Sequence, residues 1–359
     1  MTGWHFQWRH DWNAVWDPPF VAQWTALLAG SPHANVYHQP ALVRAWAETH
    51  GRALGAQPLF ALASHASGAR TLLPFVVVTQ RGRRTTRRSL TAAGESFFGY
   101  HDPLVCDPAG AVDWTGFWDA VRRETTSMCD QALLRFMHQP FAAGPLASSG
   151  EPSPVLDLSA CAGLDDVLVR CSANHRGNVR RRLRRIHDEG VVALAVYDDT
   201  SVDAAVRDFR ERFVPSYVAC WRARPEGCML DRPGVAEFVD RVLVDGLRGG
   251  WAHYAALTVG GRSIAWHLGL TFRGTLYWWI PAHDEAWQTF SPGKVLLAQL
   301  IERAIRSGIR TLHFLTGAQR YKLDWKPDWI PLSAVRWHAP SAKGTALAWY
   351  DAGLRLMPR

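Results

Sequence analysis

No apolar run in this chain approaches the roughly 18 residues that a membrane-spanning helix needs. Leu72–Val78 is the best stretch and is far too short. Met1 to Trp16 carries His, Arg and Asp where a secretion leader needs an apolar core, so no leader is expected. The six cysteines, Cys106, Cys129, Cys161, Cys171, Cys220 and Cys228, form no CxxC and show no zinc spacing with histidine. They read as reduced, buried thiols of a cytoplasmic protein. P-loop, GxGxxG, HExxH and GxSxG patterns are all missing, which leaves those chemistries without support. The fifteen histidines never form a compact ligand pair with carboxylates, so no metal is expected.

What is present is material for about two domains: 359 residues, 48% hydrophobic and 20% charged. A net charge of +8 favours anionic partners such as phosphorylated cofactors, nucleic acid or an anionic membrane surface, against plain solubility. Trp4, Trp8, Trp12 and Trp16 recur every four residues, one aromatic stripe on a helix. That stripe packs on the body of the protein or anchors at the inner face of a membrane as a peripheral contact. Two helical pieces follow, and Pro58–Ala63 with Thr71–Thr79 reads as a hairpin. Arg81-Gly82-Arg83-Arg84 with Arg87-Arg88 is a basic loop, solvated or touching a polyanion. Trp114–Thr125 reads as helix and Ala132–Met137 as strand. Pro140–Pro154, rich in Ala, Gly, Ser and Pro, is the expected linker, which splits the chain into 1–150 and 151–359.

In the second half, His175–Ile186 is helical, with Val179, Leu183 and Ile186 on one stripe and arginines over the rest. Such a charge run is a solvated face, or binds phosphate or RNA through Arg176 and Arg180. Trp251–Val259, Arg262–Phe272 and Thr275–Pro281 form a meander with turns at Gly260-Gly261 and Arg273-Gly274. Thr275–Pro281, the helix after Ser291-Pro292-Gly293-Lys294, and Ile309–Leu315 make a βαβ unit. Gly308 stops that helix. Its free N-terminal N–H groups suit a phosphate.

At these residues the chain resembles the GNAT acyltransferase superfamily. The family holds the coenzyme A pyrophosphate on Gln/Arg-x-x-Gly-x-Gly/Ala, matched here by Gln288, Ser291 and Gly293; Ser291 stands for the first glycine and Pro292 fills the middle. Asp284, Ser-Pro-Gly, and Gly317 with Tyr321-Lys322 and Trp325 resemble the subfamily named for a cellulose-biosynthesis acetyltransferase, related to Fem-type transferases that use aminoacyl-tRNA. Val36-Tyr37-His38-Gln39-Pro40 resembles the opening of the same subfamily.

The resemblance implies an α/β fold with mixed sheets: a tandem GNAT-like acyl-CoA N-acyltransferase, its N-terminal half degenerate and on the acceptor side. Acyl-CoA would be co-substrate, held by Gln288, Ser291, Pro292, Gly293, Lys294 and the strand residue Ile280. Asp284 and His267 are candidate bases, and Tyr321 and Lys322 line the site. Glu95, Tyr100, His101, Asp102 and Trp325 join Arg176 and Arg180 on the acceptor. His101 with Asp102 is a candidate base and orienting carboxylate, against an Asx turn before Pro103. His267 is alternatively a core histidine. The acceptor would be an amino sugar, lipid amine or specialised metabolite. A charged tRNA as donor is the alternative, and a catalytically inactive GNAT-fold binding module the third reading; DNA is not an expected partner.

Overall fold

The computed structural model describes residues 3–82, 86–110, 112–139, 141–222 and 224–356, with side chains to 351. It divides into two compact units, Met1–Glu151 with Pro331–Arg359 and Pro152–Ile330. The strands of the first unit begin with β1 (Trp4–Arg9), β2 (Gln57–His65), β3 (Arg70–Arg81), β4 (Thr86–Ala92), β5 (Leu104–Cys106), β6 (Gln131–His138) and β7 (Ala147–Ser149). The second unit holds β8 (Ser153–Asp157), β9 (Val192–Tyr197), β10 (Ala252–Val259), β11 (Arg262–Phe272), β12 (Thr275–His283), β13 (Thr311–His313) and β14 (Asp328–Ile330). Strand β15 (Leu332–His338) then completes the first sheet. Four helices matter below: α1 (Trp114–Thr125), α2 (Ala173–His187), α3 (Pro292–Arg306) and α4 (Arg320–Leu323).

The first sheet runs β1-β2-β3-β4-β6-β15-β7, with β5 beside β3. The second runs β14-β8-β13-β12-β11-β10-β9. One order of elements is used twice. In each unit an outer strand pairs antiparallel with the first strand of a three-strand meander, and a helix crosses to a strand parallel with the third. That crossover is β4–α1–β6 in the first unit and β12–α3–β13 in the second. The fold is therefore mixed α/β in tandem.

Local chemistry explains the second unit well. Gly260 and Gly261 have φ of 54° and 78°, and Arg273 and Gly274 have 45° and 76°; both pairs adopt the left-handed geometry of two-residue hairpin turns. Pro292 opens α3, where a missing N–H costs nothing. Val295, Leu296, Leu300 and Ile301 are all at most 1% exposed on the sheet side. Gly308, at φ 76°, stops the helix.

Two expectations fail. The tryptophan stripe is not one helix: Trp4 and Trp8 lie on β1, paired to β2, and only Trp12 begins a helical turn, Trp12–Val15. A period of four fits one face of a strand as well as a drifting helical stripe, and the backbone partner β2 decides. Trp4 packs 4.8 Å from Phe117, and Trp12 stacks on Trp16 at 5.8 Å, so the stripe covers the body of its own unit. The boundary near 150 also fails to carry everything after it into the second unit. β15 returns to the first sheet between β6 and β7, and the expected linker itself forms β7. Among the described residues no helix is long and apolar enough to cross a membrane.

Cutting the chain after Ile330 should therefore damage the first unit while sparing the second. Differential scanning calorimetry should show one cooperative transition lost and one retained; an unaltered profile would contradict this strand assignment.

Candidate functional site

Strands β12 and β13 pair in parallel for three residues only: Thr275 with Thr311, Leu276 with Leu312 and Tyr277 with His313. Beyond His313 the chain leaves the ladder. Phe314 N–H turns to Pro154 O at 3.0 Å, and Leu315 and Gly317 have φ of 59° and 102°. β12 continues to His283, so the sheet opens between the two strands.

A β-bulge sits at the opening. Leu268 faces Ile280 and Leu270 faces Tyr277, so Trp278 and Trp279 together oppose Gly269. The bulge aims the Trp279 N–H at Nε2 of His267, 3.3 Å away. The His267 ring lies flat on Trp278, with centroids 4.2 Å apart. A Cβ on Gly269 would run into that ring and stand 2.6 Å from Tyr277 O, so only glycine fits. Burial holds His267 well below the usual histidine pKa, and with Nε2 accepting, the proton resides on Nδ1. His267 is thus the core histidine of the two alternatives read from the sequence, and it fixes the backbone rather than meeting solvent.

The start of α3 lies beyond β12. Ser291 has φ 54° and ψ 54°, the region that glycine occupies without strain, which fits the glycine found there in the GNAT pattern. Its side chain does not cap the helix. Lys294 and Val295 donate to Ser291 O, while the Gly293 N–H has no acceptor among the described residues. A Cβ on Gly293 would meet nothing within 4 Å, so a side chain at this position would face open space.

Charged groups surround that helix start. Lys294 Nζ is 3.8 Å from Asp324 Oδ2, and His175 Nδ1 is 4.0 Å from the same oxygen. His175 packs edge-on against Trp325 at 4.9 Å and is buried, with Nε2 unpartnered. Burial lowers its pKa, and the Lys294 and Arg182 charges act the same way against Asp324. Arg185 covers Phe290, just before α3, at 5.2 Å. On α4, Tyr321 accepts from Trp278 Nε1 at 3.2 Å; burial raises its pKa, so it stays protonated. Lys322 is buried and donates to Thr316 O at 2.9 Å, holding the turn after β13.

The equivalent helix of the first unit is built differently. Asp113 caps α1 through Thr115 N–H at 3.0 Å, and a Cβ on Gly116 would stand 2.5 Å from the other carboxylate oxygen. A carboxylate already occupies that helix start, which excludes an anionic ligand.

The first unit instead contains a His–Asp pair. Asp102 is buried, accepts from the His138 N–H at 2.7 Å and lies 2.6 Å from His138 Nδ1. Asn35 and His38 hold Asp102 from the other side. The His138 side chain is 25% exposed, so part of it meets solvent. The expected partner of Asp102 was His101. The structure turns His101 toward Arg135 and Phe136, where burial and the Arg135 charge push its pKa down to about 4. Adjacent residues at an extended chain point apart, so Asp102 finds a histidine 36 positions away. Tyr100 packs on His138 at 4.3 Å, and Glu95 pairs with Arg135.

Other expected residues sit apart from open chemistry. Both oxygens of Asp284, a base candidate from the sequence, are engaged, one capping Ala286 N–H at 3.0 Å and one on Arg262 at 2.8 Å. Gln288 is exposed and its carbonyl accepts from Ser291 N–H; Ile280 is buried on β12. Arg180 pairs with Asp165 at 2.7 Å, and Arg176 is half-buried without an ion pair. Of the basic loop, Arg83 and Arg84 lie outside the described residues, while Arg88 pairs with Asp130 at 3.3 Å. His175, Arg182, Asp324 and His138 were missed as site residues; no local motif marks them, because each acquires its partner through packing. Among the described residues no three His, Cys, Asp or Glu side chains group as a metal site.

Residues 173–323 match the family model described as an acetyltransferase (GNAT) domain. Those residues make up most of the second unit, which therefore matches a GNAT acyltransferase domain. FemX is similar in fold, with TM-score 0.54 and 9% identity over 87% of this chain and 95% of that one. So is a conserved protein of unknown function from Bacteroides thetaiotaomicron, at 0.54 and 11% over 92% and 99%. A domain assigned by name to a lysylphosphatidylglycerol synthetase of Agrobacterium fabrum gives 0.51 and 13% over 87% and 96%. At these identities the likeness is one of fold. A search of curated proteins finds no match.

The buried histidines His38, His101 and His267 all have folded pKa values below their unfolded value near 6.5. The unfolded chain then binds more protons below that pH, so stability falls as the solution is acidified. His101 alone, at about 4 when folded, should cost about 2 kcal/mol at pH 5. Chemical denaturation at pH 7 and pH 5 should show this loss, and equal stability at both would refute it.

Proposed function

We propose that this chain transfers an acyl group from the thioester of coenzyme A, or of an acyl carrier, to a primary amine. The observation that carries the reading is the uncapped start of α3, where the Gly293 N–H has no acceptor among the described residues, beside a parallel strand pair that parts after three residues. The helix dipole, Lys294 and Arg182 supply positive charge for the diphosphate. The pantetheine arm extends along the gap between β12 and β13. Chemistry needs alignment and proton management more than activation, since a thioester is already reactive. The amine nitrogen attacks the carbonyl carbon and the C–S bond breaks. Tyr321, kept protonated by burial, gives its proton to the departing sulfur.

The amine attacks in its neutral form; after attack its nitrogen gives up one proton to the Tyr321 oxygen, which has lost its own to sulfur, so the step balances. Amino sugars, lipid amines and specialised metabolites all present such an amine.

The exposed arginines of α2 favour a second reading, with aminoacyl-tRNA as donor. Only Arg180 of this face forms an ion pair among the described residues. A tRNA-dependent activity would vanish with ribonuclease and fall steeply with salt, whereas a coenzyme A activity releases a thiol.

Acetyl-CoA or long-chain acyl-CoA at about 100 times its Kd should add about 2.7 kcal/mol of stability. Gly293→Val should fold normally, since a Cβ there meets open space, and should lose that response. A retained response in the variant would place the diphosphate elsewhere. Tyr321→Phe should lower kcat about 100-fold while leaving the donor-induced shift intact; unchanged turnover would remove Tyr321 as the acid.

A further inference from the structure

A side-chain hydrogen bond joins β12 to α4: the Trp278 indole N–H donates to the Tyr321 oxygen at 3.2 Å. Each end is fixed independently of the bond. Trp278 is 3% exposed and sits in the β-bulge opposite Gly269. Its indole lies on the His267 ring at an interplanar angle of 11°. That ring is held in turn by the Trp279 N–H and by the space that Gly269 leaves. Tyr321 rides on a helix of four residues. Leu315 and Gly317 before it, and Lys326 after it, take left-handed φ of 59°, 102° and 52°. At leucine and lysine such backbone is strained, and it persists only where the surroundings over-determine it. Lys322 ties the same helix to Thr316 O.

An indole N–H can only donate, so Tyr321 can only accept here. The tyrosine's own proton has no acceptor among the described residues and is left for a ligand. Burial raises the Tyr321 pKa, and the Trp278 N–H works against that rise.

We propose that Trp278 is a positioning residue for the acid: its N–H holds the Tyr321 oxygen and stabilises the negative charge that collects there as the C–S bond breaks. This rests on the transferase reading above. The Tyr321 proton goes to sulfur, which leaves as the thiol. The oxygen keeps the electron pair until the amine nitrogen returns a proton to it. In that interval the N–H faces an oxyanion rather than a neutral hydroxyl, and the bond strengthens. A contact that strengthens only toward the transition state raises kcat and leaves donor affinity alone. The bulge thereby gains a chemical use, since it sets where the indole points.

Trp278→Phe keeps an aromatic ring on His267 and removes the N–H. With acetyl-CoA as donor, glucosamine and ethanolamine as amines and thiol release as readout, it should lower kcat at least about tenfold. KM for acetyl-CoA and the donor-induced thermal shift should not change. In a Tyr321→Phe background the same substitution should cost nothing further, because Trp278 acts only through Tyr321. His267→Gln keeps an acceptor for the Trp279 N–H but removes the surface under the indole. It should lower kcat in the same way, and it serves if Trp278→Phe fails to fold. Unchanged kcat in a folded variant, or losses that multiply in the double variant, would overturn the assignment and leave the transferase standing. A wild-type chain that releases no thiol with either amine would sink the transferase reading and the assignment together.

Discussion

A single failed pairing governs the second unit. β12 is nine residues long and its parallel partner β13 is three, so β12 runs on without it. The bulge at Trp278 and Trp279 sits at that point, and two features hold it there. His267 takes the displaced Trp279 amide, and Gly269 leaves room for the imidazole. Filling Gly269 would press on both the ring and Tyr277 O, and protonating His267 would remove the acceptor. The histidine was attractive as a base from sequence, yet full burial gives it a different job: it keeps a backbone amide satisfied where the ladder cannot.

The two units show how one order of elements can be tuned for opposite electrostatics. In the first, Asp113 supplies the cap of the crossover helix and negative charge at its start. In the second, the crossover helix begins at a serine in the left-handed region whose side chain caps nothing, followed by a proline with no N–H and a glycine with no Cβ. The dipole is the same in both helices. Whether an anion can use it depends on a few side-chain atoms, and only the second unit leaves them out.

Two carboxylates, buried Asp102 and half-buried Asp324, are likewise arranged around specific partners. Asp102 gathers His138, Asn35 and the His138 amide, and Asp324 gathers Lys294, His175 and Arg320. Removing Asp102 would leave the His138 N–H without its acceptor, a cost larger than the net worth of the bond; around Asp324, where Arg320 is 90% exposed, water takes up most of the loss. Lys322 obeys the same rule by donating to a backbone carbonyl of the turn that ends β13.

Glycine pairs, Ser-Pro-Gly and the apolar spacing of Val295 to Ile301 were enough to read the meander, the crossover and the stop at Gly308. Each of those signals acts over a few residues through φ, a missing N–H or a helical period. The same sequence pointed Asp102 to its neighbour His101 rather than to His138, and was silent on Asp324 beside Lys294 and on the return of β15 to the first sheet. It was misleading on the tryptophan stripe, whose spacing suits strand and helix alike. Local backbone preferences fix turns and helix ends by themselves. Ring partners, ion pairs across 30 or more residues and strand order exist only once the chain has closed on itself, because they are set by which surfaces burial brings together.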